Sequence, residues 1–172
     1  MNKSSLLILI TLVISTISAK AQGILYSGED VYKEKLDTNV YDARMLLFSN
    51  KILVLYKNKT RKKVPDKSVW GFENRQGEKF RYWKGEFYQI KDAGKLSIYM
   101  GPVHDRHEQY YFSKDISGDI FVLRKRNLHK MYPDNNCFLQ RVDKYCKGIF
   151  HDSQDFDRRT KHFVVQNFFR DC

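Results

Sequence analysis

The sequence contains little proline, cysteine and glycine, and each shortage excludes a class of protein. Three prolines leave no proline-rich linker, and no repeat or low-complexity tract interrupts the chain. The nine glycines form no phosphate-binding loop and no nucleophile elbow, and the histidines form no zincin helix. We therefore expect one domain that holds no cofactor, and the sequence favours a non-enzymatic role over an enzymatic one.

Long apolar runs are missing except near the start of the chain. The mostly apolar stretch from Leu6 to Ile14 is too short for a bilayer-spanning helix, which needs about 20 apolar residues. Lys3 precedes this stretch and Ala19-Lys20-Ala21 follows it, which is the layout of a secretory signal peptide. We expect residues 1–21 to be cleaved, leaving a soluble domain, 22–172, that is periplasmic or secreted and has no transmembrane segment.

Acidic residues are outnumbered by basic ones. The formal net charge is +11, and loss of Lys3 and Lys20 with the signal lowers it to +9. For an exported protein, this charge favours an anionic envelope polymer, a lipid surface or another envelope protein as partner over nucleic acid. Two basic patches stand out, and Lys62 and Lys63 in the first are candidate binding residues, although such runs are also common on solvated turns and helix faces. The patches are Lys57, Lys59, Arg61, Lys62 and Lys63, then Arg124, Lys125, Arg126, His129 and Lys130.

The central part of the chain, 44–123, has the pattern of an antiparallel β-meander. Short apolar runs alternate there with turns that contain Gly77, Gly85, Gly94 and Gly118, and such short connections join antiparallel neighbours. We expect about eight strands in an open curled sheet or a partial barrel. The predicted strands are 44–48, 51–56, 67–73, 78–84, 86–91, 95–100, 108–113 and 119–123.

The C-terminal part, 124–172, has helical spacing and is called the helical tail. Phe138, Val142, Tyr145 and Cys146 fall on one stripe of a helix, with Ile149 one turn further. A last helix is predicted over 156–170. Two to three helices packed on the meander give an α+β domain, and we expect them to cover the sheet face that alternation does not assign to the core.

Aromatic residues are concentrated in the predicted strands. Alternation places Trp70 with Phe72, and Phe80 with Tyr82, on the core side of the sheet. Trp83 and Tyr99 fall on the opposite face, close to Arg81. Aromatic rings beside cations bind sugars or stack on bases, so Trp83, Tyr99 and Arg81 are candidate ligand-binding residues, although the same residue types also build ordinary sheet cores.

The three cysteines all lie in the helical tail. Cys137 and Cys146 on one helix would be about 13 Å apart along its axis, whereas the Cα atoms of a disulfide lie about 4.4 to 6.8 Å apart. If two antiparallel helices turn near His151, Cys172 comes level with Cys137. We therefore predict a Cys137–Cys172 disulfide and a buried Cys146.

His104 and His107 are the nearest approach to a metal or acid–base site. They are three residues apart, a spacing that points side chains to opposite faces of a strand and differs from the i, i+4 pair of helical zinc sites. Only a loop would let them converge. We therefore predict no metal site and keep these histidines as weak candidates.

Part of the chain resembles small exported proteins of Bacteroidota that have no assigned function. The similar segments are Lys67-Ser68-Val69-Trp70-Gly71-Phe72, Tyr88-Gln89-Ile90, Gly94-Lys95-Leu96-Ser97-Ile98-Tyr99, Tyr111-Phe112-Ser113-Lys114-Asp115, Asn127-Leu128 and Tyr132-Pro133-Asp134-Asn135. The first three segments belong to one stretch from Val64 to Met100, and the resemblance as a whole covers about half of the chain. The resemblance implies a sheet followed by helices in the cell envelope, and it assigns no catalytic or binding residue.

Three functions remain open at this point. The first is an exported, non-enzymatic envelope protein that binds a ligand or partner and has affinity for anionic surfaces. The second is a lipocalin-like carrier of a small apolar ligand, which requires the sheet to close into a barrel. The third is a secreted hydrolase such as a basic nuclease, with His104 or His107 in its site.

Overall fold

The computed structural model describes residues 23–25, 27–33, 37, 39–46, 49, 51–102, 109–147 and 155–172. The chain is α+β, as predicted, and its sheets are antiparallel. The strands are β1 (Gly23–Leu25), β2 (Val40–Met45), β3 (Lys51–Tyr56), β4 (Arg61–Pro65), β5 (Gly71–Glu73), β6 (Lys79–Trp83), β7 (Glu86–Asp92), β8 (Ser97–Met100), β9 (Tyr110–Ser113), β10 (Phe121–Val122), β11 (Phe156–Asp157) and β12 (His162–Phe163). The helices are α1 (Gly28–Lys33), α2 (Lys125–Met131), α3 (Asn136–Tyr145) and α4 (Val164–Arg170).

The main sheet has seven strands in the order β1-β5-β6-β7-β8-β9-β10. From β5 onwards each strand pairs with the next in sequence, which confirms the meander. Gly77 and Gly85 adopt positive φ angles of 78° and 96° in two of its turns, the conformation for which glycine was expected there. The sheet is open, with β1 and β10 at its edges, so it does not form the closed barrel that the carrier hypothesis requires.

Strands β2, β3 and β4 form a separate three-stranded sheet instead of extending the meander. The reason lies in β1, which pairs with β5 through Ile24 and Phe72 and thereby occupies the edge that β4 would otherwise extend. The small sheet packs its apolar side against the main sheet. The shared core includes Ile24, Ala43, Ile52, Val54, Phe72, Phe80 and Phe87.

The helical tail packs against the other end of the same face of the main sheet. Its apolar cluster joins Ile98 and Phe112 of the sheet to Leu128, Phe138 and Val142 of the helices. The Asn135 side chain accepts a hydrogen bond of 3.1 Å from the Phe138 backbone N–H and caps α3. The predicted last helix was too long, because 156–163 form the β11–β12 hairpin and only Val164–Arg170 is helical.

The opposite face of the main sheet is covered by α1 and the β9–β10 connection. Leu25, Tyr88 and Tyr99 on this face cluster with Val31 of α1 and with Ile116 and Ile120 of the β9–β10 connection. The helical tail was predicted to lie here, and that prediction was wrong. Trp70 also belongs to this face, rather than to the side of Phe72, because the short turn Asp66–Ser68 replaces the start of the predicted strand.

Two of the cysteines lie at disulfide distance, as predicted. Cys137 at the start of α3 and Cys172 have Cα atoms 5.7 Å apart and their sulfur atoms are bonded. The bond ties the end of α4 to the start of α3. Cys146 is buried in the apolar cluster of the helical tail, as its position on the apolar stripe of the helix predicted.

Candidate functional site

The three-stranded sheet and its β3–β4 turn carry a strongly basic surface among the described residues. We call it the basic sheet, and it comprises the side chains of β2, β3, β4 and the β3–β4 turn that carry positive charge and are exposed. These residues are Arg44, Lys51, Lys57, Lys59, Arg61, Lys62 and Lys63.

Strand register explains how these cations come together. Arg44, Leu53 and Lys63 are opposite one another across the three strands, and residues that share such a row point to the same side. The next row on that side brings Arg61 next to Leu55. Lys62 is opposite Val54 and Ala43, so it points to the inner side of the small sheet. It is exposed there because β4 is the edge strand.

The β3–β4 turn holds two further lysines in place. The Tyr56 N–H donates to the Thr60 carbonyl at 2.9 Å, and the Lys59 N–H donates to the Tyr56 carbonyl at 2.9 Å. The Asn58 side chain accepts from the Thr60 N–H at 3.0 Å. Lys59 adopts a left-handed φ of 66°, and the Lys57 N–H donates to the Asn39 carbonyl at 2.9 Å, which ties the turn to the β2 side of the sheet.

The ion pairs of the described residues leave the basic sheet out. Within the described part of the chain, no ion pair includes any of its seven cations. Asp42 is the carboxylate on the same side of the small sheet, and Leu55 separates it from Arg61 across the strands. The predicted residues Lys62 and Lys63 are therefore exposed, adjacent and available to an outside anion.

Two residues of the second predicted basic patch are engaged within the protein, whereas Arg126 and Lys130 are exposed. Lys125 and His129 of α2 both contact Asp143 of α3, each at 2.8 Å. Hydrogen bonds from Lys125 and then from His129 lower the pKa of Asp143. This patch therefore joins two helices.

Arg81 and Tyr99, predicted on the open face, are buried. Arg81 is 4% exposed and Tyr99 is fully buried. The Arg81 guanidinium donates to the Tyr99 hydroxyl at 3.1 Å and to the Ser117 carbonyl at 3.0 Å, and it lies 5.5 Å from the Trp70 ring centre. The prediction of surface positions was wrong, because the 116–120 segment covers this face and the sequence gives no sign of that long-range contact.

Trp83 remains partly accessible. Its ring is in edge contact with Tyr88 at 6.0 Å between ring centres, and the Lys84 ammonium lies 4.4 Å from its ring centre. An amine at that distance interacts favourably with the indole face. The cation at Trp83 is thus Lys84, whereas Arg81 lies over the rings of Trp70 and the buried Tyr99.

His104 and His107 lie outside the described residues. A different histidine, His162 on β12, contacts Asp92 at the end of β7, with 2.5 Å between Nδ1 and Oδ2. The two residues are 70 positions apart, so no local motif could have indicated the pair. Among the described residues no group of three or more potential metal ligands occurs.

The His162–Asp92 pair borders a cleft of about 540 Å³ between the β7–β8 turn and α4. We call it the C-terminal cleft. Its walls include Asp92, Lys95, Leu96, His162, Phe169 and Arg170. Sequence reasoning missed this site because the 162–163 segment was assigned to a helix.

Comparison with protein families, with curated proteins and with solved structures gives no match for this chain. A search of the described helices finds none that is both long enough and apolar enough to cross a bilayer. The basic sheet and the C-terminal cleft are therefore the features from which a function can be inferred.

Proposed function

We propose that this protein is an exported, non-enzymatic binding module that attaches to an anionic polymer through the basic sheet. The observation that carries the proposal is the set of seven exposed cations on one small sheet, with no ion pair to any of them among the described residues. A cluster of like charges repels itself, and an anionic partner removes that repulsion on binding.

The spacing of the charges suits an extended polymer. Alternate residues of a strand, such as Arg61 and Lys63, lie about 6.6 to 6.8 Å apart, and neighbouring strands are about 4.8 Å apart. The surface therefore presents a regular array of cations instead of a single pocket. Several weak contacts made together give useful affinity even when each exposed ion pair contributes only about 0.2 to 1 kcal/mol.

A polymer fits this surface better than a lipid bilayer does. Proteins that lie on a membrane insert large apolar side chains between the headgroups, whereas Leu53 and Leu55 on the basic sheet are both partly buried. The exposed large apolar residues among the described part of the chain are Tyr41, Tyr145 and Phe156. Tyr41 lies at the bulge of β2, and none of the three belongs to β3 or β4, which carry most of the cations.

The proposed location is the periplasm or the outside of the cell. The signal-like segment at the start of the sequence supports this location, and so does the Cys137–Cys172 pair at disulfide distance, because disulfides persist in oxidising compartments. An envelope location would also supply abundant anionic polymers to the basic sheet.

Binding to immobilised heparin, a soluble stand-in for an anionic polymer, tests the proposal. We expect the triple variant Arg61→Gln, Lys62→Gln, Lys63→Gln to elute at clearly lower salt than the wild type. A matched variant, Arg126→Gln, Lys130→Gln, Lys144→Gln, removes the same charge from exposed helical residues and should elute close to the wild type.

Equal shifts of both variants would show that net charge alone causes retention and would reject the basic sheet as the site. Thermal unfolding of each variant controls for loss of structure. Vesicles that contain phosphatidylglycerol, used in place of heparin, separate the alternatives. Tight vesicle binding together with weak heparin binding would contradict the choice of a polymer.

A further inference from the structure

The C-terminal cleft combines an apolar floor with a basic rim. Leu96 is buried at its base and Phe169 is partly buried in its wall. Lys95 and Arg170 are exposed residues at its border. A volume of about 540 Å³ lies within the range of small-molecule sites, which is roughly 300 to 1,000 Å³.

His162 adds an oriented polar group to this rim. A carboxylate accepts but does not donate, so the 2.5 Å contact means that Nδ1 of His162 donates to Asp92. The ring is thereby fixed, and Nε2 is the nitrogen left for a ligand. The His162 side chain is 38% exposed and that of Asp92 is 16% exposed.

The charges around the cleft favour an anion. Lys95, Arg170 and, when protonated, His162 are positive, whereas Asp92 is the acidic residue among the lining side chains and is already bound to His162. Arg170 donates to the neutral amide oxygen of Asn167 at 2.9 Å. No ion pair among the described residues joins Lys95 or Arg170 to a carboxylate.

The cleft is held open by contacts that do not involve its basic groups. Gln166 accepts from the Phe163 N–H at 3.1 Å and donates to the Leu96 carbonyl at 2.8 Å, which fixes α4 against β8. The Cys137–Cys172 bond anchors the chain just after α4. Because the cleft is already formed before a ligand binds, little binding free energy is spent on rearranging it.

We infer that the C-terminal cleft binds a small amphipathic anion. Its carboxylate, sulfonate or phosphate group lies at Lys95, Arg170 and the Nε2 atom of His162, and its apolar part lies on Leu96 and Phe169. The lining residues supply no serine or threonine hydroxyl, and Cys172, which also lines the cleft, is bonded to Cys137. The geometry therefore fits a ligand site better than a site of covalent catalysis.

This inference does not depend on the proposed function of the basic sheet, because the two surfaces share no residue. The probe is 8-anilinonaphthalene-1-sulfonate, an aromatic sulfonate whose fluorescence rises in apolar surroundings. We expect saturable binding at one site and about tenfold weaker binding to the variant Lys95→Gln, Arg170→Gln, as expected when two charge-assisted contacts are lost.

The variant Arg126→Gln, Lys130→Gln is the matched control, since it removes the same charge from exposed positions of α2 and should bind the probe like the wild type. Equal weakening in both variants, or no saturable binding, would overturn the inference. Backbone amide NMR shifts on titration provide a second readout. Changes confined to residues 92–96, 162–170, Asn135 and Cys172 support the cleft, and changes elsewhere contradict it.

Discussion

The basic sheet and the α2–α3 helix pair carry similar runs of positive charge but use them differently. In the helix pair, Lys125 and His129 share the carboxylate of Asp143 at 2.8 Å. In the basic sheet, Lys62 and Lys63 are exposed on an edge strand, and no ion pair of the described residues includes them. A basic run thus becomes a candidate binding surface only where the fold brings no acidic side chain to it.

The difference follows from the secondary structure around each run. Residues one turn apart on a helix share a face, so Lys125 and His129 can both reach a single carboxylate on a neighbouring helix. On a strand, alternate residues share a face, and Arg61 and Lys63 face outward from a sheet whose other side is apolar. The first arrangement stabilises the fold, and the second leaves charge for a partner.

The largest effect should come from the disulfide that supports the helical region. Replacing Cys137 and Cys172 by serine opens a loop with a sequence separation of 35, for which chain entropy predicts a loss of about 3 to 4 kcal/mol in the free energy of unfolding. Urea denaturation measures this loss, and the wild type in a reducing agent should behave alike. A change below about 1 kcal/mol in the free energy of unfolding would show that the bond contributes little. Heparin binding by the folded variant should stay intact, because the basic sheet does not contain the disulfide.

Charge reversal should separate the two basic regions in affinity. We expect Lys62→Glu, Lys63→Glu to weaken heparin binding by about tenfold or more, because attraction becomes repulsion at two neighbouring positions. The pair Arg126→Glu, Lys130→Glu on α2 should change the affinity by less than about twofold. Isothermal titration at fixed salt measures both, and a larger loss in the α2 variant would reverse the comparison.

The helical region should also be sensitive to alkaline pH. Burial, and then the charge of Asp115, raise the pKa of Tyr132. Above about pH 10 the unfolded chain ionises this phenol and the folded protein does not. Stability therefore falls as the pH rises from about 10 towards the folded-state pKa of Tyr132.

The variant Tyr132→Phe should reduce this alkaline decline, as measured by urea midpoints between about pH 9 and 11. Some decline should remain, because burial also raises the pKa of Tyr82 and of Tyr88. Tyr41→Phe, at an exposed position, is the control and should leave the slope unchanged. If the urea midpoint of Tyr132→Phe fell with pH as steeply as that of the wild type, the alkaline decline could not be assigned to Tyr132.

The smallest effect should come from Asp143→Asn, which breaks the internal pairing of the second patch. Exposed ion pairs contribute little, so we expect a stability loss of at most about 1 kcal/mol. Lys125 and His129 would then be available to an outside anion, and heparin affinity should rise by up to about twofold. Because the pKa of Asp143 is lowered, the pairing is lost only as the pH falls through that reduced value. A decrease in heparin affinity would argue against this account of the helix pair.

The sequence predicted those features that depend on neighbouring residues. The turns with Gly77 and Gly85 and the alternation of apolar residues were sufficient for the meander, and the exposure of Lys62 and Lys63 followed from a local basic run. The position of Cys172 opposite Cys137 needed only an antiparallel arrangement at the end of the chain. These inferences succeeded because each feature has a short-range physical cause.

Features that depend on distant parts of the chain were missed. Arg81 and Tyr99 were placed on the surface, since nothing in their strands indicates that the 116–120 segment covers them. The His162–Asp92 pair joins residues 70 positions apart. The three residues of β1 are too few to show a period, yet their pairing with β5 separates the small sheet from the meander and so creates the basic sheet.

Hydrogen–deuterium exchange of the full chain, with and without heparin, shows which basic region binds the polymer. We expect slower amide exchange in peptides from 51–65 when heparin is bound, and unchanged exchange in peptides from 124–145. Protection of 124–145 without protection of 51–65 would rule out the basic sheet as the binding surface, and so would heparin binding that protects neither region.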